Sequence, residues 1–185
     1  MINKLRLCRY ISFNHLKLNQ AISIPNQGDF EYTLAIIKPH ICKDPSKLQE
    51  IQTIILREKF LIVRSRCFQW SKTLAEAFYG EHQGKFFFDR LVAMMTSGHS
   101  IVYILAQYNA VTRWRQLIGP TKVFKTILEE PKTIRGVYGL TDTRNAAHGS
   151  DSSLNALKEI KFFFPQFQID SFNELQNQCC LNDVK

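Results

Sequence analysis

Tyr32-Thr33-Leu34-Ala35-Ile36-Ile37-Lys38, closed by Pro39, decides how the chain is read. Seven residues rich in β-branched and aromatic side chains, with no polar alternation, describe a strand buried on both faces or nearly so. Downstream, Asp44-Pro45 is a helix start, with Asp as N-cap and Pro at the first helical position. Leu48, Ile51, Ile54 and Ile55 then lay one apolar stripe along a helix to about Lys59. Residues 60–68 (FLIVRSRCF) read as a second strand and 100–106 as a third. Residues 73–82, 87–96 and 109–117 read as helices, the middle one closed by Ser97-Gly98 and the last by Gly119-Pro120. Residues 121–136 read as a polar, basic loop, and 137–141 as a short fourth strand. A final helix starts at Asp151-Ser152-Ser153, buries Leu154, Leu157, Ile160 and Phe164, and stops at Pro165. Strands separated by helices give an α/β (α+β) sandwich of the ferredoxin-like kind, a four-stranded antiparallel sheet covered by helices.

Upstream of Tyr32 the character changes. Residues 1–28 carry Lys4, Arg6, Arg9 and Lys17 and no acidic residue, which is half of the chain's net charge of +8. With Leu5, Leu7, Ile11, Leu16 and Leu18 giving it an amphipathic cast, the segment has the composition of a mitochondrial transit peptide. A disordered extension on a cytoplasmic protein is the alternative. The expected organisation is therefore a leader over 1–28, a domain over 29–166 and a C-terminal tail over 167–185. The remaining +4 on the body suits a phosphate-bearing ligand. No apolar run approaches the ~18–20 residues of a membrane span, and 45% hydrophobic composition argues against a largely disordered chain. Cys8, Cys42, Cys67, Cys179 and Cys180 form no metal or redox spacing, and the histidines form none of the zinc-enzyme kind. They read as free thiols, with no protein-bound metal expected.

The chemistry concentrates in Arg144-Asn145-Ala146-Ala147-His148-Gly149-Ser150-Asp151-Ser152. A histidine set among small residues before a helix start is accessible, and near neutral pH its imidazole is nucleophilic. Ser150 and Asp151 offer hydrogen bonds to orient it.

Asn-x-x-His-Gly-Ser-Asp-Ser resembles the active-site signature of the nucleoside diphosphate kinases, and the similarity runs from about Tyr32 to Pro165. Gly139-Leu140-Thr141-Asp142-Thr143-Arg144-Asn145 resembles in particular the divergent type-6 branch. The resemblance implies ping-pong transfer of a γ-phosphoryl group from ATP or another nucleoside triphosphate to a nucleoside diphosphate, with His148 as the nucleophile. It implies that Lys38 and Tyr79 meet the reacting phosphate, and that Arg115, Thr121 and Arg135 bind phosphates. Asn145 would contact sugar and phosphate, Phe87 would stack on the base, and Ser150 and Glu159 would hold the histidine. Phe86-Phe87-Phe88 reads equally well as core, and Lys38 or Glu159 alone would pass for solvated charges. Magnesium would arrive on the nucleotide.

Three departures from the family pattern stand out. Asp142 occupies the place of an apolar residue that packs on the base. His99 follows Ser97-Gly98 where proline is usual. The segment from Thr121 to Thr133 is about three residues longer than in common members, which argues against their hexameric assembly and leaves a homo-oligomer or a protein partner open. A partner-binding module that keeps the nucleotide pocket is the alternative function. Nucleic-acid binding ranks last, because no Lys/Arg-Gly-Phe/Tyr strand motif is present.

Overall fold

A computed structural model describes residues 29–168. The basic leader and the tail from residue 169 onward lie outside the described residues, as do Cys8, Cys179 and Cys180. Two strands form the spine. β1 (Phe30–Ile37) pairs antiparallel with β3 (His99–Tyr108), Leu34 opposite Ile104, and the inner residues of both are buried on either face. β2 (Leu61–Gln69) pairs with the far edge of β3, with a bulge between Ile62 and Arg64. β4 (Ala147–Gly149) pairs antiparallel with the free edge of β1. The sheet order β2-β3-β1-β4 is ferredoxin-like.

Eight α-helices follow among the described residues: α1 (Pro39–Cys42), α2 (Pro45–Arg57), α3 (Lys72–Phe78), α4 (Phe88–Thr96), α5 (Ala110–Ile118), α6 (Val123–Glu129), α7 (Ile134–Tyr138) and α8 (Ser153–Phe163). A 3-10 turn, Gly80–His82, extends α3. Asp44 caps α2 as its sequence indicates, accepting from the amides of Ser46 (3.1 Å) and Lys47 (3.3 Å). Glu31 on β1 binds the starts of two helices at once. Its carboxylate accepts from the Val111 amide of α5 at 3.0 Å and from the Ser153 hydroxyl of α8 at 2.5 Å. Those two helices carry Arg115 and Glu159.

Leu34, Ile36, Tyr103, Ile104 and Met95, with Trp114 of α5 and Phe163 of α8, are all essentially inaccessible to solvent. Trp70, Phe68, Phe78 and Phe163 interlock edge to face at centroid separations of 5.0–5.7 Å. No helix of the described residues is long and apolar enough to cross a membrane. Cys42 is buried and Cys67 exposed.

The structure corrects the local reading in several places. The segment 121–136 is not a loop; it holds α6 and the start of α7. The expected strand over 137–141 is instead the end of α7 and the turn after it. Thr133 accepts from the Gly136 amide to start that helix, and the chain leaves it at Gly139. A Cβ on Gly139 would meet Val123 Cγ2 at 2.8 Å. The fourth strand is formed by the histidine segment, so His148 lies on a strand opposite Ile36 rather than in an open loop. On α8 the buried face is Ala156, Ile160 and Phe163, whereas Leu154 is exposed.

Candidate active site

Ser150, just past the end of β4, locks that strand to β1. Its amide donates to the Leu34 carbonyl at 3.3 Å, and its Oγ accepts from the Leu34 amide at 3.2 Å. The same hydroxyl donates to Glu159 Oε2 at 2.5 Å. The other carboxylate oxygen, Oε1, lies 3.1 Å from His148 Nε2. A carboxylate there selects the tautomer with the proton on Nε2, which leaves the Nδ1 lone pair free. The ring is about one-fifth exposed and so remains reachable. Phe78 meets it edge-on at 5.4 Å and Tyr79 at 6.2 Å, which fixes the imidazole plane.

The backbone is held as firmly. Trp114 Nε1 donates to the His148 carbonyl at 3.0 Å. Arg135, buried on α7, donates Nη2 to the Ala147 carbonyl at 2.9 Å and Nη1 to the Gly119 carbonyl at 2.5 Å. Gly149 has no substitute here: a Cβ would lie 2.7 Å from Trp114 Nε1. Ala146 takes φ +67° and closes a tight γ-turn, with the Ala147 amide donating to the Asn145 carbonyl at 2.8 Å. That conformation costs an L-residue about 1 kcal/mol or more. It is the one strained backbone step beside the histidine.

Lys38 ends β1 almost wholly buried and donates Nζ to the Thr143 carbonyl at 3.1 Å. Burial, then the nearby Arg135 guanidinium, pushes its pKa down from 10.5 to about 7. Arg135 is itself lowered to about 10, chiefly by burial and next by Arg115. Burial and the Glu159 carboxylate push the Tyr79 phenol well above its ordinary value. Tyr79 Oη, Asn145 Oδ1 and Arg135 Nε are buried without a hydrogen-bond partner. Natural interiors rarely leave such atoms unpaired without a functional reason. Three of them on three residues of one site fit a pocket that completes its bonding with a polar ligand.

A cleft of about 470 Å³ is lined by Arg115, Thr121 and Arg135, together with Glu130 and Asp151. His148 and Phe87 are not among its lining residues. They are joined to each other by rings instead. Tyr79 stacks with His82 (6.3 Å, 20° between planes), and His82 meets Phe87 edge-on at 5.4 Å. Phe87 is partly buried while Phe86 stands almost fully in solvent. His82 is the site residue that sequence reasoning passed over. Its signal was its place three residues after Tyr79 at a helix end. Burial lowers its pKa below the ordinary histidine value.

Asp142 departs from expectation in a useful way. It accepts the Val123 amide on Oδ1 at 3.0 Å, so its carboxylate is engaged with the start of α6.

The family model for nucleoside diphosphate kinase matches residues 31–169. The chain belongs to the nucleoside diphosphate kinase family. It is 49% identical over 142 residues to nucleoside diphosphate kinase 6 of Danio rerio, covering 77% of this chain and 81% of that one. It is 50% identical over 137 residues to the Homo sapiens protein of the same name, covering 74% of each. The nucleoside diphosphate kinase of Aquifex aeolicus superposes with a TM-score of 0.69 at 34% identity, covering 74% of this chain and 96% of that one. Family membership fits the sheet order and supports kinase-type chemistry at a nucleotide pocket.

Proposed function

We propose that the protein is an active nucleoside diphosphate kinase working by ping-pong through phosphohistidine at His148. The observation that carries this is the Ser150–Glu159–His148 chain, which engages Nε2 and so leaves the Nδ1 lone pair of a fixed ring for attack. Nδ1 attacks the γ-phosphorus of a nucleoside triphosphate, the bond from that phosphorus to the β-phosphate bridging oxygen breaks, and the nucleoside diphosphate leaves. A second diphosphate takes the phosphoryl group by the reverse path, so one pocket serves donor and acceptor in turn.

Charge developing on the transferring group needs fixed donors. Arg115, Thr121 and Arg135 supply them from the cleft. Lys38, whose pKa burial lowers, is favoured in its charged form when phosphates arrive. Tyr79 Oη and Asn145 Oδ1 take up bonds they lack in the free protein. Phe87 offers a ring face to the base, which reads no base edge. Among the described residues no three His, Cys, Asp or Glu side chains converge as a metal cage. Magnesium would come with the nucleotide phosphates, where it neutralises charge. The acid-free leader supports a mitochondrial address.

A second reading has one observation in its favour. Phe124, Ile127 and Leu128 of α6, with Val137 and Leu140, leave a run of large apolar side chains 46–81% exposed. Such a strip suits a further copy or a protein partner, with the pocket kept for binding.

The test is to mix the full chain with γ-labelled ATP and magnesium, look for acid-labile label, and chase with a nucleoside diphosphate. Label that moves to the diphosphate, and is lost in His148→Asn, supports the kinase. Nucleotide binding without label supports the binding module.

A further inference from the structure

We infer that Asp142 is a positioning residue for the nucleotide pocket, aligning Asn145 and Thr121 by capping α6 from nineteen residues away. The inference rests on the kinase reading, because the pocket it shapes is the one assigned there to a nucleoside diphosphate.

The argument starts with an unpaired helix end. Lys122 stands at the N-cap of α6 and offers no side-chain acceptor. The first amides of a helix need one. The Val123 amide finds it in Asp142 Oδ1 at 3.0 Å. Val123 is itself buried and packs on Gly139, so the helix start is fixed on its other side too.

Asp142 then passes the constraint on. Its carbonyl accepts from Asn145 Nδ2 at 2.9 Å, and the same Nδ2 lies 3.5 Å from the Thr121 carbonyl. Thr121, Val123, Asp142 and Asn145 thus close a ring of bonds. With its amino group spent on two carbonyls, Asn145 has only Oδ1 left, buried and without a partner. That atom can only accept, so it suits a ligand hydroxyl of the kind a ribose carries. If Asp142 releases α6, the Asn145 amide is free to turn over, and its acceptor is no longer fixed.

This assignment opposes the expectation from the family pattern, in which an apolar residue at this place packs on the base. The two make opposite predictions for Asp142→Val. Packing on the base would tighten nucleotide binding in that variant; loss of the cap would weaken it.

The experiment measures the affinity of the full chain for ADP and for 2′,3′-dideoxy-ADP, with magnesium, by titration calorimetry. The expected result is that Asp142→Val binds ADP roughly fivefold more weakly, the scale of a lost cap. It should also lose the wild-type preference for ADP over the dideoxy nucleotide. Asp142→Asn keeps an Oδ1 acceptor and should stay within about twofold of wild type on both counts. Asp142→Ala, which lacks a branched Cβ, should repeat the Val result and serves if Val does not fold. Tighter ADP binding in Asp142→Val, equal weakening in Val and Asn, or an unchanged sugar preference each overturns the inference. Wild-type protein that binds ADP but never takes label on His148 overturns the kinase reading alone.

Discussion

Lys38→Met should make the protein more stable while disabling it. Lys38 is buried to 4% exposure, has the Thr143 carbonyl as its hydrogen-bond partner, and feels Arg135 nearby. Its pKa falls from 10.5 to about 7 on folding. Each tenfold change in proton affinity is about 1.4 kcal/mol. The folded state therefore carries a penalty of about 4 kcal/mol at pH 7. Losing the bond to Thr143 returns about 1 kcal/mol, so the methionine variant should be about 3 kcal/mol more stable. The pH dependence has a definite sign. Between pH 7 and 10.5 the unfolded chain holds a proton that the folded chain has released, so wild-type stability rises with pH. The variant lacks that gain, and its advantage should shrink to near zero by about pH 9.5. Urea unfolding of both proteins at several pH values between 6 and 9.5 reads this directly. A variant less stable at pH 7, or an advantage constant with pH, would refute the reading that burial holds the Lys38 pKa far below its ordinary value.

Two further outcomes follow from the geometry around His148. Glu159→Gln places an amide opposite Nε2; its N–H donors favour the tautomer with the proton on Nδ1, which removes the attacking lone pair. The rate of acid-labile labelling should fall on the order of a hundredfold with little change in thermal unfolding, and an unchanged labelling rate would remove Glu159 from the mechanism. Gly149→Ala drives a Cβ into the Trp114 indole and should cost about 2–3 kcal/mol in urea unfolding followed by tryptophan fluorescence; a cost under about 0.5 kcal/mol would show that the indole yields freely.

What the sequence revealed, and what it hid, divides by the range of the forces involved. β1 and β3 are legible because strands buried on both faces need apolar side chains at every position, and Thr33–Ile37 and Ile101–Ala106 largely comply. α2 is legible because its cap and stripe lie within its own residues. β4 is not: Ala147-His148-Gly149 contains no β-former, and becomes a strand because Ala35, Ile36 and Ile37 of β1 supply the pairing from far away in sequence, with Ser150 bound to Leu34. α6 and α7 were hidden for a related reason. The cap of α6 comes from Asp142, and its apolar residues Phe124, Ile127 and Leu128 face outward rather than marking a buried stripe. The site shows the same split. The histidine motif itself marked His148 and Ser150, and the family resemblance added Glu159, Lys38 and Arg135 as candidates. What could not be read is how they are held: an indole under the glycine, a guanidinium on two carbonyls, a strained turn at Ala146. A histidine becomes a usable nucleophile when its proton, its plane and its backbone are each fixed by a different neighbour. Here those neighbours come from α8, from the end of α3 and from α5. Trp114, through the His148 carbonyl, and Glu31, through the starts of α5 and α8, therefore help to set the position of His148 from far away in sequence.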